Sequence, residues 1–117
     1  MINGQSVQWE EMEPSHAIEP GWVVRGKAEE ASKMLHVSKD HKFIVQIWEC
    51  RTAVELDIDG YPVDEFITII SGDLELIDSQ SGSKNYGPGD SLIIAKGFCG
   101  RWIQEGALRK YSTCYLG

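Results

Sequence analysis

The amino-acid sequence predicts an all-β fold, a single barrel or sandwich of short strands, from three observations. From Trp22 onward, runs of alternating and β-branched residues recur at short intervals. Turn-forming clusters such as Ser71-Gly72-Asp73, Asp78-Ser79-Gln80-Ser81-Gly82 and Tyr86-Gly87-Pro88-Gly89-Asp90 separate them. With 117 residues, 42% of them apolar, the chain has enough material for one core and no room for a second domain.

In chain order, residues 1–20 are polar, carry Pro14 and Pro20, and show a short apolar alternation around Val7 and Trp9. They predict an N-terminal arm with at most one strand, leaving 21–117 as the barrel domain. Trp9 is a candidate anchor, on its own barrel or on a neighbouring subunit. The segment Lys27 to Leu35 is ambiguous: Ala28, Ala31 and Leu35 sit at helical spacing between segments that read as strand, so it is taken as strand with a turn. Strands are predicted at Phe43 to Cys50, Val54 to Ile58, Val63 to Ser71, Asp73 to Ile77, Ser91 to Ile94, Gly100 to Gln104 and Arg109 to Tyr115. The glycines around Pro88 need only a structural reading, because a phosphate-cradling loop is followed by a helix and Ser91 to Ile94 is extended.

Charge and cysteine usage exclude several classes. A formal net charge of -7, with eleven basic residues that form no run, argues against nucleic acid and against an anionic membrane surface. No apolar stretch approaches a spanning helix, and Met1 to Glu13 lacks the regions of a secretion signal, so a cytoplasmic location is expected. Cys50, Cys99 and Cys114 are odd in number and contain no C-x-x-C pair, which favours reduced, buried, inert thiols.

Two spaced patterns carry a family resemblance. Ala53-x5-Asp59-x-Tyr61-x3-Glu65-x6-Gly72 is similar to the first motif of the cupin superfamily, in which a glycine, a His-x-His pair, a glutamate and a glycine follow in order. Gly89-x5-Ala95-x-Gly97-x2-Gly100-x3-Gln104 resembles the second, with Gly100 at the place of the last metal-binding histidine and Gln104 at that of an asparagine. Trp48-Glu49-Cys50, Asp64-Glu65-Phe66, Gly89-Asp90-Ser91, Lys96-Gly97-Phe98-x-Gly100-x-Trp102 and Arg109-Lys110-Tyr111 narrow the resemblance. They point to small single-domain cupins related to the ureidoglycine aminohydrolase cupin domain and, more distantly, to ethanolamine-utilisation cupins. The resemblance implies a conical jelly-roll barrel in which three of the four usual metal ligands are missing, so no metal and no other cofactor is expected.

If Glu65 faces the barrel interior, then Val63, Ile67 and Ile69 share its face, while Asp64, Phe66 and Thr68 face outward. Glu65 is then a lone carboxylate on an apolar stripe, its pKa raised by burial, and must be bonded, protonated or matched to a cation or ligand. Two readings stay open for it: a satisfied core glutamate, or a candidate catalytic and binding residue. Asp59 and Tyr61 occupy the His-x-His places, and Asp59 belongs either inside the barrel or to a surface turn beside Gly60. Were Asp59 and Glu65 both inside they could share a hard cation, but no further acidic ligands align.

Along the strand through Gly100, Phe98, Trp102 and Gln104 share the inward phase. Glycine in place of imidazole opens space there, and Trp102 either fills it as core or walls a slot for a small molecule. Tyr61, Glu65, Phe98, Trp102 and Gln104 are therefore the candidate substrate-binding set. Cys99 points away and has no neighbouring base, and His16, His36 and His41 read as solvated surface residues. Lys96, Arg109 and Lys110 read as solvated cations, with the steering of an acidic ligand as the alternative.

The function expected from these residues is binding of a small polar metabolite in the barrel interior without the usual metal site. The alternative is an aminohydrolase- or isomerase-like enzyme using Glu65 as general acid or base on a ureido, amide or sugar substrate. A module closed by its own aromatics is the third reading, and a homodimer that covers strand edges fits all three.

Overall fold

A computed structural model describes residues 6–117, and the first five residues of the predicted arm lie outside the described residues. Among the described residues eleven strands run β1 Glu13–Pro14, β2 Val23–Gly26, β3 Glu30–Val37, β4 Phe43–Cys50, β5 Val54–Asp59, β6 Asp64–Ser71, β7 Leu74–Asp78, β8 Gly82–Tyr86, β9 Ser91–Ile94, β10 Cys99–Gln104 and β11 Leu108–Tyr115. They form two antiparallel sheets, ordered β1-β3-β4-β11-β6-β9 and β2-β5-β10-β7-β8. This is the predicted all-β jelly roll, two sheets face to face with a shared interior.

Period-2 alternation decides which side chains enter that interior. Glu65, Ile67 and Ile69 of β6 are buried while Asp64 and Phe66 are exposed, and on β5 Val54, Leu56 and Ile58 are the buried set. Together with Trp48, Leu74, Leu92, Ile94, Trp102 and Leu108 they build the main core between the sheets. A second, smaller cluster lies on the outer face of the six-stranded sheet, where Val7 and Met12 of the arm pack over Ala31 and Ile47. Trp9 is half-buried against the same cluster, with the Arg51 guanidinium 4.1 Å above its ring. Within this chain, therefore, the anchor sits on its own barrel.

The predicted strands are present with ends shifted by one residue at most. The ambiguous segment is strand from Glu30 to Val37, and a register shift between Met34 and His36 interrupts it. Ala31 and Leu35, four residues apart, satisfy a helical and a strand period equally, which is why their spacing was uninformative. Strands β2 and β8 fall outside the predicted set because both are edge strands exposed along most of their length, so no alternation marks them.

Candidate functional site

Strand β6 carries Glu65 inward, and the side chains that meet it come from the turn before it and from β11. Gly60, at φ 86°, breaks the alternation after β5. Ile58 faces in and Asp59 faces out, and the left-handed turn, which only glycine takes without strain, brings Tyr61 back over the interior. The Tyr61 hydroxyl then donates to Glu65 Oε1. Strand β11 pairs with β6 and sends Lys110, Ser112 and Cys114 inward. Lys110 Nζ donates to Glu65 Oε2 at 2.6 Å and Ser112 Oγ to the same oxygen at 2.7 Å.

The pair is deeply enclosed, with Glu65 only 3% and Lys110 only 5% exposed. Two predictions are thereby corrected. Glu65 is not a lone carboxylate, and Lys110 is not solvated: its ammonium is the internal counter-charge that a buried carboxylate requires. Burial pushes the Glu65 carboxyl upward, but the Lys110 charge and the hydrogen bonds from Lys110, Tyr61 and Ser112 outweigh it. The net pKa lies below the ordinary carboxylate value, so the expectation that burial raises it is reversed. For Tyr61, burial first and the Glu65 charge second push the phenol well above its usual value, so it remains a donor. Burial and the same carboxylate raise the Cys114 thiol.

Two indoles complete the surroundings of the ammonium. Lys110 Nζ lies 4.6 Å from the ring centroid of Trp48 and 5.0 Å from that of Trp102. The two rings meet edge to face, 6.1 Å apart at 86°. Each indole N–H is fixed elsewhere: Trp102 Nε1 donates to Gln104 Oε1 at 2.9 Å, and Trp48 Nε1 to Glu30 Oε1 at 2.9 Å. Gln104 is itself saturated, its Nε2 donating to the carbonyls of Cys50, Thr52 and Gly106. It holds Trp102 in place from behind, and Trp102 is at once core and wall.

Above this floor lies a cavity of about 200 Å³ lined by Trp22, Gln46, Trp48, Tyr61, Glu65, Trp102, Lys110, Ser112 and Cys114, among others. Ala17 and Ile18 roof it, and Trp22 stacks on Tyr61 with ring centroids 6.1 Å apart and planes 17° from parallel. The roof is tied down by Glu30, whose carboxylate accepts from Ser15 Oγ at 3.0 Å, the Ala17 amide at 3.0 Å and the Ile18 amide at 3.1 Å.

The remaining candidates lie elsewhere. Phe98 does not face this cavity; it lines a separate hollow with Leu76, Tyr86 and Leu92. Nor does Gly100 open any space, since a Cβ there would lie 2.2 Å from the Ile77 carbonyl oxygen and 2.6 Å from the tip of Phe98. The place expected to be vacant is filled by that ring. Asp59 is exposed, which settles its two readings in favour of the surface, and its nearest thiol is Cys99 at 3.9 Å. Cys99 is exposed rather than buried, while Cys50 and Cys114 are buried free thiols. His16, His36, His41 and Lys96 are exposed, and Arg109 pins the arm from the outer face through Glu49 and the Val7 carbonyl.

The EutQ-like cupin domain matches residues 37–111, most of the barrel just described. The chain belongs to the EutQ-like cupin family. Solved structures agree on the fold. A protein of unknown function from Pseudomonas syringae pv. tomato superposes with a TM-score of 0.84 at 18% identity, over 97% of this chain and 46% of that one. The chain thus spans less than half of that relative's length. A putative ethanolamine utilization protein Q from Salmonella typhimurium gives 0.60 at 14% identity, over 74% of this chain and 69% of that one. The polyketide cyclase RemF from Streptomyces resistomycificus gives 0.67 at 13%, over 100% and 81%. Identities this low show a shared cupin fold and nothing about activity. No protein of curated function matches the chain.

Cupin barrels imply a metal at the position of the motif glutamate. The residues of this EutQ-like cupin do not fit one: among the described residues no three His, Cys, Asp or Glu side chains converge. Glu65 is occupied instead by an ammonium and two hydroxyls.

Proposed function

We propose that this cupin binds a small polar metabolite in the cavity above Glu65 and Lys110, held by protein groups alone. The observation that carries the reading is the Lys110 ammonium, bonded to Glu65 and bordered by two indole faces at a cavity of about 200 Å³. A positive charge so placed orients an acceptor atom, while the aromatic walls supply contact area, the usual division of labour in a small-molecule site. Pockets for drug-sized ligands run to roughly 300–1,000 Å³, so a smaller molecule fits here.

The catalytic alternative, with Glu65 as general acid on a ureido, amide or sugar substrate, has less support. Its carboxyl sits below the ordinary range, and three donors already occupy it. The proposal includes a homodimer and a reducing compartment such as the cytoplasm. Exposed Phe66 and Ile93 are cross-strand partners on the outer face of the six-stranded sheet, a patch suited to a second copy, and three free thiols suit a reducing environment.

Trp22, Trp48 and Trp102 line the cavity, so a ligand that enters it changes tryptophan fluorescence and raises the melting temperature. A metabolite library screened by both readouts tests the proposal. Hits whose signal is lost in Lys110→Met support it; a library with no member that moves either readout overturns it.

A further inference from the structure

The charge balance and the unused polar groups of the cavity narrow its ligand class. The inference rests on interior binding as proposed above. Among the described residues, Glu65 and Lys110 are the charged ones lining the cavity, and they cancel. Glu65 offers little to a ligand: Oε1 accepts from Tyr61, and Oε2 accepts from both Lys110 and Ser112. Lys110 is different. An ammonium has three N–H donors, and one of them serves Glu65.

A second polar group is free. Gln46, half-buried on β4, lines the same cavity, and its side-chain amide has no hydrogen-bond partner among the described residues. It can donate and accept at once. The site therefore presents a charged donor for an acceptor atom, an amide for a group with both characters, and aromatic rings among its walls.

An anion fits this poorly. With Glu65 Oε2 2.6 Å from Nζ, a third group feels the field of a dipole rather than of a free cation. A carboxylate brought inside would leave one uncompensated negative charge among apolar walls, where desolvation is most expensive. A neutral carbonyl oxygen avoids that cost and still accepts a charge-assisted hydrogen bond from Lys110. We infer that the cavity selects neutral, planar carbonyl compounds with an adjacent N–H, such as primary amides, lactams and cyclic ureas, over their carboxylate analogues, with Gln46 reading the N–H and Lys110 the carbonyl.

Two matched pairs test this: benzamide against benzoate, and nicotinamide against nicotinate, titrated by tryptophan fluorescence and ligand-observed NMR at neutral pH. The expected result is that each amide binds at least about tenfold more tightly than its acid, and that Gln46→Leu, which leaves the buried ion pair in place, weakens the amides about tenfold. Acids that bind as tightly as the amides overturn the inference while leaving interior binding intact. So does amide binding that Gln46→Leu does not change. If neither pair binds while other library members do, the ligand class is wrong; if nothing in the library binds either, the interior-binding reading falls with it.

Discussion

Replacing Lys110 by Met removes the ammonium but keeps a chain of similar length against Trp48 and Trp102. Breaking a buried ion pair by deleting one partner costs roughly 3–5 kcal/mol, because the other charge is left buried. Here the cost has a ceiling. Glu65 can escape by taking a proton, and doing so at pH 7 from an unfolded value near 4.3 costs about 1.36 kcal/mol per unit, or roughly 3.7 kcal/mol in all. For a chain of 117 residues, 1 kcal/mol moves the melting temperature by about 4 °C. Lys110→Met should therefore melt about 12–15 °C below the parent at pH 7. The pH dependence reverses as well. In the parent the Glu65 carboxyl is held below its unfolded value, so its stabilisation is present above that value and is lost as pH falls. In the variant the carboxyl is raised, so stability is greatest in acid and declines as pH rises through neutrality. Thermal melts followed by circular dichroism at pH 5 and pH 7 read both effects. A variant that melts within 3 °C of the parent at pH 7, or that loses stability in parallel with it on acidification, would refute the internal ion pair.

Three other variants carry expected outcomes. Tyr61→Phe should destabilise by about 1–3 kcal/mol, measured by urea unfolding at pH 7, because Glu65 Oε1 loses its donor. In the parent, the raised Tyr61 phenol keeps its full contribution below its unfolded value near 10 and loses it as pH climbs further, so alkaline melts of parent and variant should converge. Glu30→Ala should speed hydrogen exchange at the Ala17 and Ile18 amides selectively, and equal rates would remove Glu30 as the tie of the roof. Gly100→Ala should cost about 1–3 kcal/mol in urea unfolding, since a methyl there meets the Ile77 carbonyl; a neutral substitution would mean that the position is open after all.

The parts of this molecule that show in the sequence are those set by neighbours along the chain. Strand β5 alternates cleanly, with Val54, Leu56 and Ile58 on one face and Glu55, Asp57 and Asp59 on the other, Ile67 and Ile69 keep the same period on β6, and the turns along the chain carry their own residue chemistry. Strand β11 is harder to read because both of its faces mix polar and apolar groups: Leu108, Lys110, Ser112 and Cys114 against Arg109, Tyr111, Thr113 and Tyr115. Alternation alone cannot say which set is inside. The partner of Glu65 lies 45 residues away in the chain, and only the pairing of β11 with β6 brings the two together. One signal was present: a glutamate flanked by Val63, Ile67 and Ile69 needs a cation, and Lys110 shares a strand face with Leu108 and Cys114. Phe98 and Gly100 were misplaced for a different reason. Family spacing locates a backbone position, but the volume around it depends on the neighbouring strand, here the carbonyl of Ile77 on β7.

The contacts around the cavity close on themselves. Starting at the roof, the Ala17 and Ile18 amides bind Glu30, Glu30 holds the Trp48 indole, and the face of Trp48 meets Lys110. Lys110 grips Glu65, Glu65 takes the Tyr61 hydroxyl, and the Tyr61 ring lies on Trp22, four residues past Ile18. A hoop of this kind has no loose end. Slack introduced at one clasp is shared by all of them: under the binding proposed above, a guest that pressed on the indole below would be felt at the roof above, and entry and grip would become a single event.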